Sequence, residues 1–125
     1  MRTSEFAETQ LPKISKLLGF EKDPKWITIR YAISISLGLN REISKEKIEF
    51  TGGKTYSMEV ITGKGKVDLQ GEQADYTDFF GLILANYEDS SITSERSLEI
   101  KLEKHCERGF QILASSLNEN SDIYE

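Results

Sequence analysis

Four groups of residues in this 125-residue chain have types and spacing that could do chemistry. Gly53-Lys54-Thr55 matches the end of a phosphate-binding loop, but the full motif needs a glycine where Ile48 stands, and no convincing helix follows. A tight turn accounts for it. His105 and Cys106 are the only histidine and the only cysteine. Neighbours on a helix point about 100° apart, so these two do not form a pair. With one of each, a His- or Cys-based metal site, an internal disulfide, or Ser-His or Cys-His catalysis would need a second chain or a cofactor. Cys106 falls in register with an apolar stripe and reads as a small buried hydrophobe. His105 falls off that stripe and reads as a surface or capping residue. Glu72, Asp75, Asp78, Glu88 and Asp89 form an acidic patch that could hold a divalent ion or do acid–base work. Yet Glu72 and Asp75 sit where a helix begins, and the helix dipole favours negative charge there in any case. The expectation is a protein that is not an enzyme, with no catalytic residue, metal or cofactor.

The fourth group is basic: Lys13, Lys16, Lys22, Lys25 and Arg30. Lys13 and Lys16 are one helical step apart on one side. Basic side chains near helix N-termini suit a phosphate backbone. The charge of the whole chain is −5, but residues 1–70 carry +3 and residues 71–125 carry −8. The first part could meet nucleic acid; the second could not do so alone.

These residues need elements to position them. Leu11, Ile14, Leu17 and Leu18 have helical spacing, and Gly19 is a helix stop. Pro12 is tolerated in a first turn and costs about 3 kcal/mol in an interior, so the secure helix starts near Leu11, with residues 2–9 an extended arm or a preceding helical turn. Asp23-Pro24 is a helix-start signal, with Asp23 as N-cap and Pro24 at the first helical position. The segment that follows is ambiguous. Ile27, Ile29, Tyr31, Ile33, Ile35 and Leu37 alternate like a β-strand, whereas the Asp-Pro start and the Gly38 stop favour a helix buried on several sides. Gly52-Gly53 and Gly63-Lys64-Gly65 flank Tyr56, Met58 and Val60, which alternate as a short strand that could pair with residues 48–50 or 67–69.

In the second half, Tyr76, Phe79, Phe80, Ile83, Leu84 and Tyr87 make one apolar helical stripe. Leu98, Leu102, Cys106, Phe110, Leu113 and Leu117 make a second and longer one. Joined by a short polar gap, the two helices pair most simply as an antiparallel hairpin. Gly109 in the longer helix costs about 1 kcal/mol relative to alanine, and usually permits close approach of another helix. The expected fold class is therefore mainly α: a compact helical domain over residues 1–117 with a C-terminal antiparallel helix hairpin, a small β-hairpin or meander around residues 48–69, and a flexible tail at 118–125. A chain of this length buries roughly two thirds of its unfolded surface, enough for one core. No run approaches the ~20 apolar residues of a membrane span, and residues 1–10 lack a secretory apolar core, so the expected location is cytoplasmic.

Several short motifs, in order, resemble one family. An N-terminal helix, a glycine turn and a second segment carrying Arg30, Ala32, Ser34 and Leu37 are similar to the start of the DNA sulfur modification protein DndE family. The resemblance continues in Gly71-Glu72-Gln73-Ala74-Asp75-Tyr76, and again in His105-Cys106-Glu107-Arg108-Gly109-Phe110 followed by Leu113. It covers residues 1–40 and 67–117 and leaves 41–66 unmatched. It implies a small helical protein of the bacterial phosphorothioation system, which replaces a non-bridging phosphate oxygen of DNA with sulfur and serves phage defence. It also implies helix for residues 27–37. The family member is a non-catalytic accessory that binds double-stranded DNA, notably nicked duplex, through lysines near its N-terminal helices. It self-associates as a homo-oligomer, a tetramer, beside partners such as DndC and DndD. Carried onto this chain, the DNA-binding positions are Lys13, Lys16, Lys22 and Lys25; the charge reading adds Arg30. Two alternatives are a protein–protein scaffold of the same complex without DNA contact, and a ribbon-helix-helix-like regulator whose residues 2–6 would pair as a strand between protomers.

Overall fold

The computed structural model describes residues 1–39, 41–62, 66–67, 73–74 and 94–124, with residues 66–67, 73–74 and 118–124 described by their backbone only. Helix α1 spans Glu5–Leu17, α2 Lys25–Gly38, α3 Met58–Thr62 and α4 Glu95–Tyr124. Strands β1 (Lys66–Val67) and β2 (Gln73–Ala74) pair antiparallel, with Lys66 opposite Ala74 and Val67 opposite Gln73. The architecture is mainly helical, as the periodicities indicate. The apolar stripe expected over residues 76–87, and with it the first arm of the hairpin, lies outside the described residues.

Helix α1 begins earlier than Pro12 suggests. Ser4 adopts an extended backbone and its hydroxyl accepts from the Ala7 N–H at 3.0 Å, a side-chain N-cap, with Glu5 and Glu8 in the first turn. Pro12 is exposed inside the helix. The lost backbone bond is offset by the cap and by burial of Ala7, Leu11 and Ile14 along one face. The helix ends where Gly19 (φ 83°) donates to the Lys16 carbonyl and Phe20 to that of Ser15. These two bonds form the left-handed glycine termination.

Helix α2 settles the ambiguity of residues 27–37. Thr28, Ile29, Ala32, Ile33, Ser36 and Leu37 are buried, two adjacent rows of a helix rather than one face of a strand. The expected cap is displaced by one residue. Pro24 is the N-cap, and no side chain caps the helix. Asp23 instead closes the preceding turn, its N–H donating to the Phe20 carbonyl at 2.9 Å.

Helix α4 buries Leu98, Leu102, Cys106, Phe110 and Leu113, the expected stripe, and lies against both α1 and α2. Its backbone stays helical to Tyr124. At its crossing with α2 the backbones touch. A Cβ on Gly109 would sit 1.9 Å from the Ala32 carbonyl oxygen. Burial pushes the Cys106 thiol well above its ordinary pKa, with Glu107, Glu8 and Glu103 adding to the shift.

The strand expected over residues 56–61 is a helical turn. Ser57 caps it through a bond from the Val60 N–H at 3.1 Å, and the Thr62 hydroxyl donates to the Met58 carbonyl at 2.7 Å. The turn puts consecutive Ile61 and Thr62 into the interior, which a strand's alternation would not allow. The residues just before it are extended and pair with the N-terminus. Arg2 bridges Thr55 antiparallel, Thr3 donates to the Lys54 carbonyl at 2.9 Å, and Tyr56 to that of Met1 at 2.7 Å. The Gly52-Gly53 turn makes this possible: Gly52 has φ 85°, and a Cβ on Gly53 would lie 1.7 Å from the Thr3 carbonyl oxygen. Gly53-Lys54-Thr55 is thus a turn and a pairing segment, as its incomplete motif suggests.

Gly109→Ala forces α2 and α4 apart at their closest point. The expected loss is about 1–3 kcal/mol or more, read as a lower urea midpoint. Substitution of the exposed Gln111 by alanine in the same helix should leave the midpoint within about 0.5 kcal/mol.

Candidate nucleic-acid interface

Helix α1 buries Leu11, Ile14 and Ser15 and so turns Lys13 and Lys16 to solvent. Lys22 is exposed in the turn that follows, and Lys25 is the exposed first residue of α2. Among the described residues, none of these four lysines makes an ion pair. The α1–α2 corner therefore carries exposed amines outside ion pairs, with the exposed Glu21 and Asp23 flanking Lys22.

The structure brings to this corner a residue that sequence reasoning missed. Pairing of residues 54–56 with the N-terminal arm seats Lys54 beside Lys25. Hydrogen bonding to Lys54, then charge repulsion from it, then burial, lower Lys25 below the ordinary lysine range; Glu8 partly offsets this. The contact joins residues far apart in the chain, and no local pattern announces it. Helix α2 also has no acidic residue in its first turn and no side-chain cap, which leaves its positive end open to an anion.

Arg30 has a different setting. Its Nε donates to the Ile61 carbonyl and its Nη2 to that of Val60 at 3.1 Å, while the guanidinium lies 3.9 Å from the centre of the Trp26 ring. It clamps α3 onto α2. Lys13, Lys16, Lys22 and Lys25 extend into solvent, whereas Arg30 is half-buried in this clamp.

His105 corrects the expectation of a surface or capping residue. It is 1 % exposed, with Nδ1 2.9 Å from the Ser36 hydroxyl. Arg108 donates from Nε to the same hydroxyl at 2.7 Å, and from Nη2 to the carbonyls of Ser36 and Arg41 at 3.0 Å. This network closes the C-terminal end of α2. A serine beside a histidine could suggest a nucleophile, but both are sealed from solvent and the serine oxygen already accepts from Arg108. The buried face of α4 is wider than its leucine stripe because two helices pack on it; that brings His105 inside.

Among the described residues, no group of three or more His, Cys, Asp and Glu is placed to hold a metal ion. The acidic patch at Glu72, Asp75, Asp78, Glu88 and Asp89 lies outside the described residues. Among the described residues, no helix is long and apolar enough to cross a membrane. Residues 1–3 are bonded to residues 54–56 of the same chain, and α1 starts at Glu5, so residues 2–6 do not form the continuous strand that a ribbon-helix-helix arrangement pairs between protomers.

A family profile described as DNA sulphur modification protein DndE matches residues 1–121. No curated protein and no solved structure matches the chain.

Arg30→Ala should lower stability by about 1–3 kcal/mol, because two carbonyls lose a charged donor, and should shift Trp26 fluorescence. Alanine at Lys13, Lys16 or Lys22 should leave stability within about 0.5 kcal/mol, as exposed substitutions do. Equal losses at Arg30 and at the lysines would contradict this division between clamp and surface.

Proposed function

Because the chain belongs to the DndE family of DNA sulphur modification proteins, and so to a DNA phosphorothioation system, we propose that it is the system's non-catalytic DNA-holding subunit. It grips backbone phosphates through Lys13, Lys16, Lys22 and Lys25, joined by Lys54. It reads little base sequence and presents DNA, with a preference for nicked duplex, to the catalytic subunits of the system.

The observation that carries this reading is the set of lysines, Lys13, Lys16, Lys22 and Lys25, that α1, its turn and α2 expose to solvent with no ion-pair partner among the described residues. Lys54, exposed and near enough to act on the Lys25 charge, adds a further amine to that set. A phosphate that meets such amines gains charge-assisted bonds. Lys13, Lys16 and Lys22, exposed and outside ion pairs among the described residues, extend the same positive character along α1 and its turn. A phosphate backbone needs a row of such charges, and its affinity is set by the counterions they release.

The acidic balance of residues 71–125 argues that the positive corner must be presented apart from the rest. Self-association that gathers N-terminal corners into one surface serves this purpose, and a homotetramer fits the reading. A scaffold that docks partners without touching DNA remains the competing outcome.

Fluorescence anisotropy against intact and nicked duplexes of unrelated sequence, titrated with salt, tests the proposal. Binding should be sequence-blind, tighter on nicked DNA and lost as salt rises. Joint charge reversal at Lys13, Lys16 and Lys25 should weaken it and reduce the log–log salt slope by about 0.9 per lost phosphate contact. Unchanged affinity in that triple variant removes the surface. No binding at low salt, with partner subunits still co-purifying after nuclease treatment, favours the scaffold.

The lowered Lys25 sets a pH dependence. Bound phosphate favours the charged amine and raises its pKa, so binding takes up a proton. Affinity should be complete below the depressed pKa of the unbound protein and should decline as pH rises toward the ordinary lysine value of 10.5. Lys54→Gln removes the first cause of the shift and should flatten that decline, measured by anisotropy across the same pH range.

A further inference from the structure

A second positive surface lies away from the α1–α2 corner. A groove of about 490 Å³ runs between α4 and residues 45–50, within the roughly 300–1,000 Å³ of ordinary small-ligand sites. Arg96, Ile100 and Lys104 recur every four residues along α4 and form one wall. Lys45 and Lys47 face them from the irregular segment before the glycine turn, and Arg2 closes one side. Five cations thus line one groove.

The only carboxylate among the described lining residues is already committed. Glu103 is 3 % exposed and accepts from the Arg2 backbone N–H at 2.6 Å and from Arg2 Nε at 3.1 Å. Arg96 pairs with Glu99 at 2.9 Å. Among the described residues, Lys45, Lys47 and Lys104 have no ion-pair partner. The groove therefore keeps an excess of positive charge.

It also has a flat apolar component. The Arg2 guanidinium stacks over the Phe50 ring, 4.1 Å from its centre, and Ile100 is 38 % exposed beside that stack. An anion that fits both parts carries phosphates together with a planar apolar group. Duplex DNA shows its phosphates outward and keeps its bases stacked inside; a single strand exposes both.

We propose that this groove binds a short single-stranded stretch of nucleic acid, with Lys45, Lys47 and Lys104 on its phosphates and a base against Ile100 and the guanidinium that Phe50 supports. It is a site distinct from the duplex-gripping corner and does not depend on that corner being correct. Together the two would let one protomer hold a duplex and a strand released from it.

The test uses fluorescein-labelled octathymidine, an abasic oligomer of equal length and a blunt duplex, by anisotropy at low salt. The paired variant Lys45→Gln/Lys47→Gln should weaken octathymidine binding roughly tenfold and reduce its salt slope by about 1.4, at about 0.7 per phosphate contact, with duplex affinity changed little. Phe50→Leu should weaken octathymidine roughly five- to tenfold and leave the abasic oligomer unaffected. The Lys13, Lys16 and Lys25 charge reversal should show the opposite pattern: duplex weakened, octathymidine retained. Lys45 and Lys47 are exposed and accept substitution without refolding; Lys45→Arg/Lys47→Arg should restore binding. Absence of octathymidine binding, indifference to the paired variant, or equal loss on octathymidine and duplex would each overturn the site. Equal loss of the abasic oligomer in Phe50→Leu would overturn the base contact.

Discussion

The rest of the molecule depends on how closely α2 and α4 approach. Their backbones meet at Gly109 and Ala32, where there is no room for a single carbon atom. This contact brings the Ile29, Ile33 and Leu37 row onto the Leu102, Cys106 and Phe110 row and seals both. It also brings Ser36 within reach of His105 and Arg108, so the polar end of α2 is satisfied by the helix it rests on. A wider spacing would leave these buried polar groups without partners, and unpaired buried groups cost more than the bonds gain.

Helix α1 and the N-terminal arm build on that pair. Ser4 caps α1, and its hydroxyl donates to Glu107 of α4; Thr3 and Tyr56 each reach the Glu8 carboxylate. Arg2 meets Glu103 on the other side of the arm. The arm is therefore stitched to α1, to α4 and to residues 54–56 at once. Its pairing with residues 54–56 carries Lys54 to Lys25. The same strap positions Arg2 and Phe50 at the groove beside α4. One structural device thus bounds both positive surfaces, which makes their separation a property of the fold rather than of chain order.

Net charge describes this protein poorly. At −5 the chain reads as a weak candidate for nucleic acid, yet residues 1–70 carry +3 and most of its lysines. Glu8, Glu103 and Glu107 are tied to hydroxyls, an amide or a guanidinium, and contribute less to the open surface than their count suggests. Electrostatic recognition follows local fields over distances of about a Debye length, roughly 8–10 Å, so the grouping of charges matters more than their sum.

Much of this was legible in the amino-acid order. The four-residue steps from Leu98 to Leu113 mark a one-sided helix, Gly19 a stop, and Gly109 a close approach, because each depends on local geometry that the residue type itself imposes. The exposed lysines of α1 were legible for the same reason. Pro12 misdirected the start of α1, since a local penalty was outweighed by a cap and by burial. Residues 56–61 alternate like a strand, but Met58–Thr62 form a helical turn because Arg30 claims the carbonyls of Val60 and Ile61 and the interior takes the side chains of Ile61 and Thr62. His105 moved inside because two helices, not one, cover α4. Lys54, Arg2 and Phe50 took their places through pairing across some fifty residues. The sequence by itself determined the helices and which of their faces carry charge, since period and side-chain chemistry are local. Tertiary structure alone decided which charges become neighbours, because that follows from long-range pairing and from the close backbone approaches at Gly53 and Gly109.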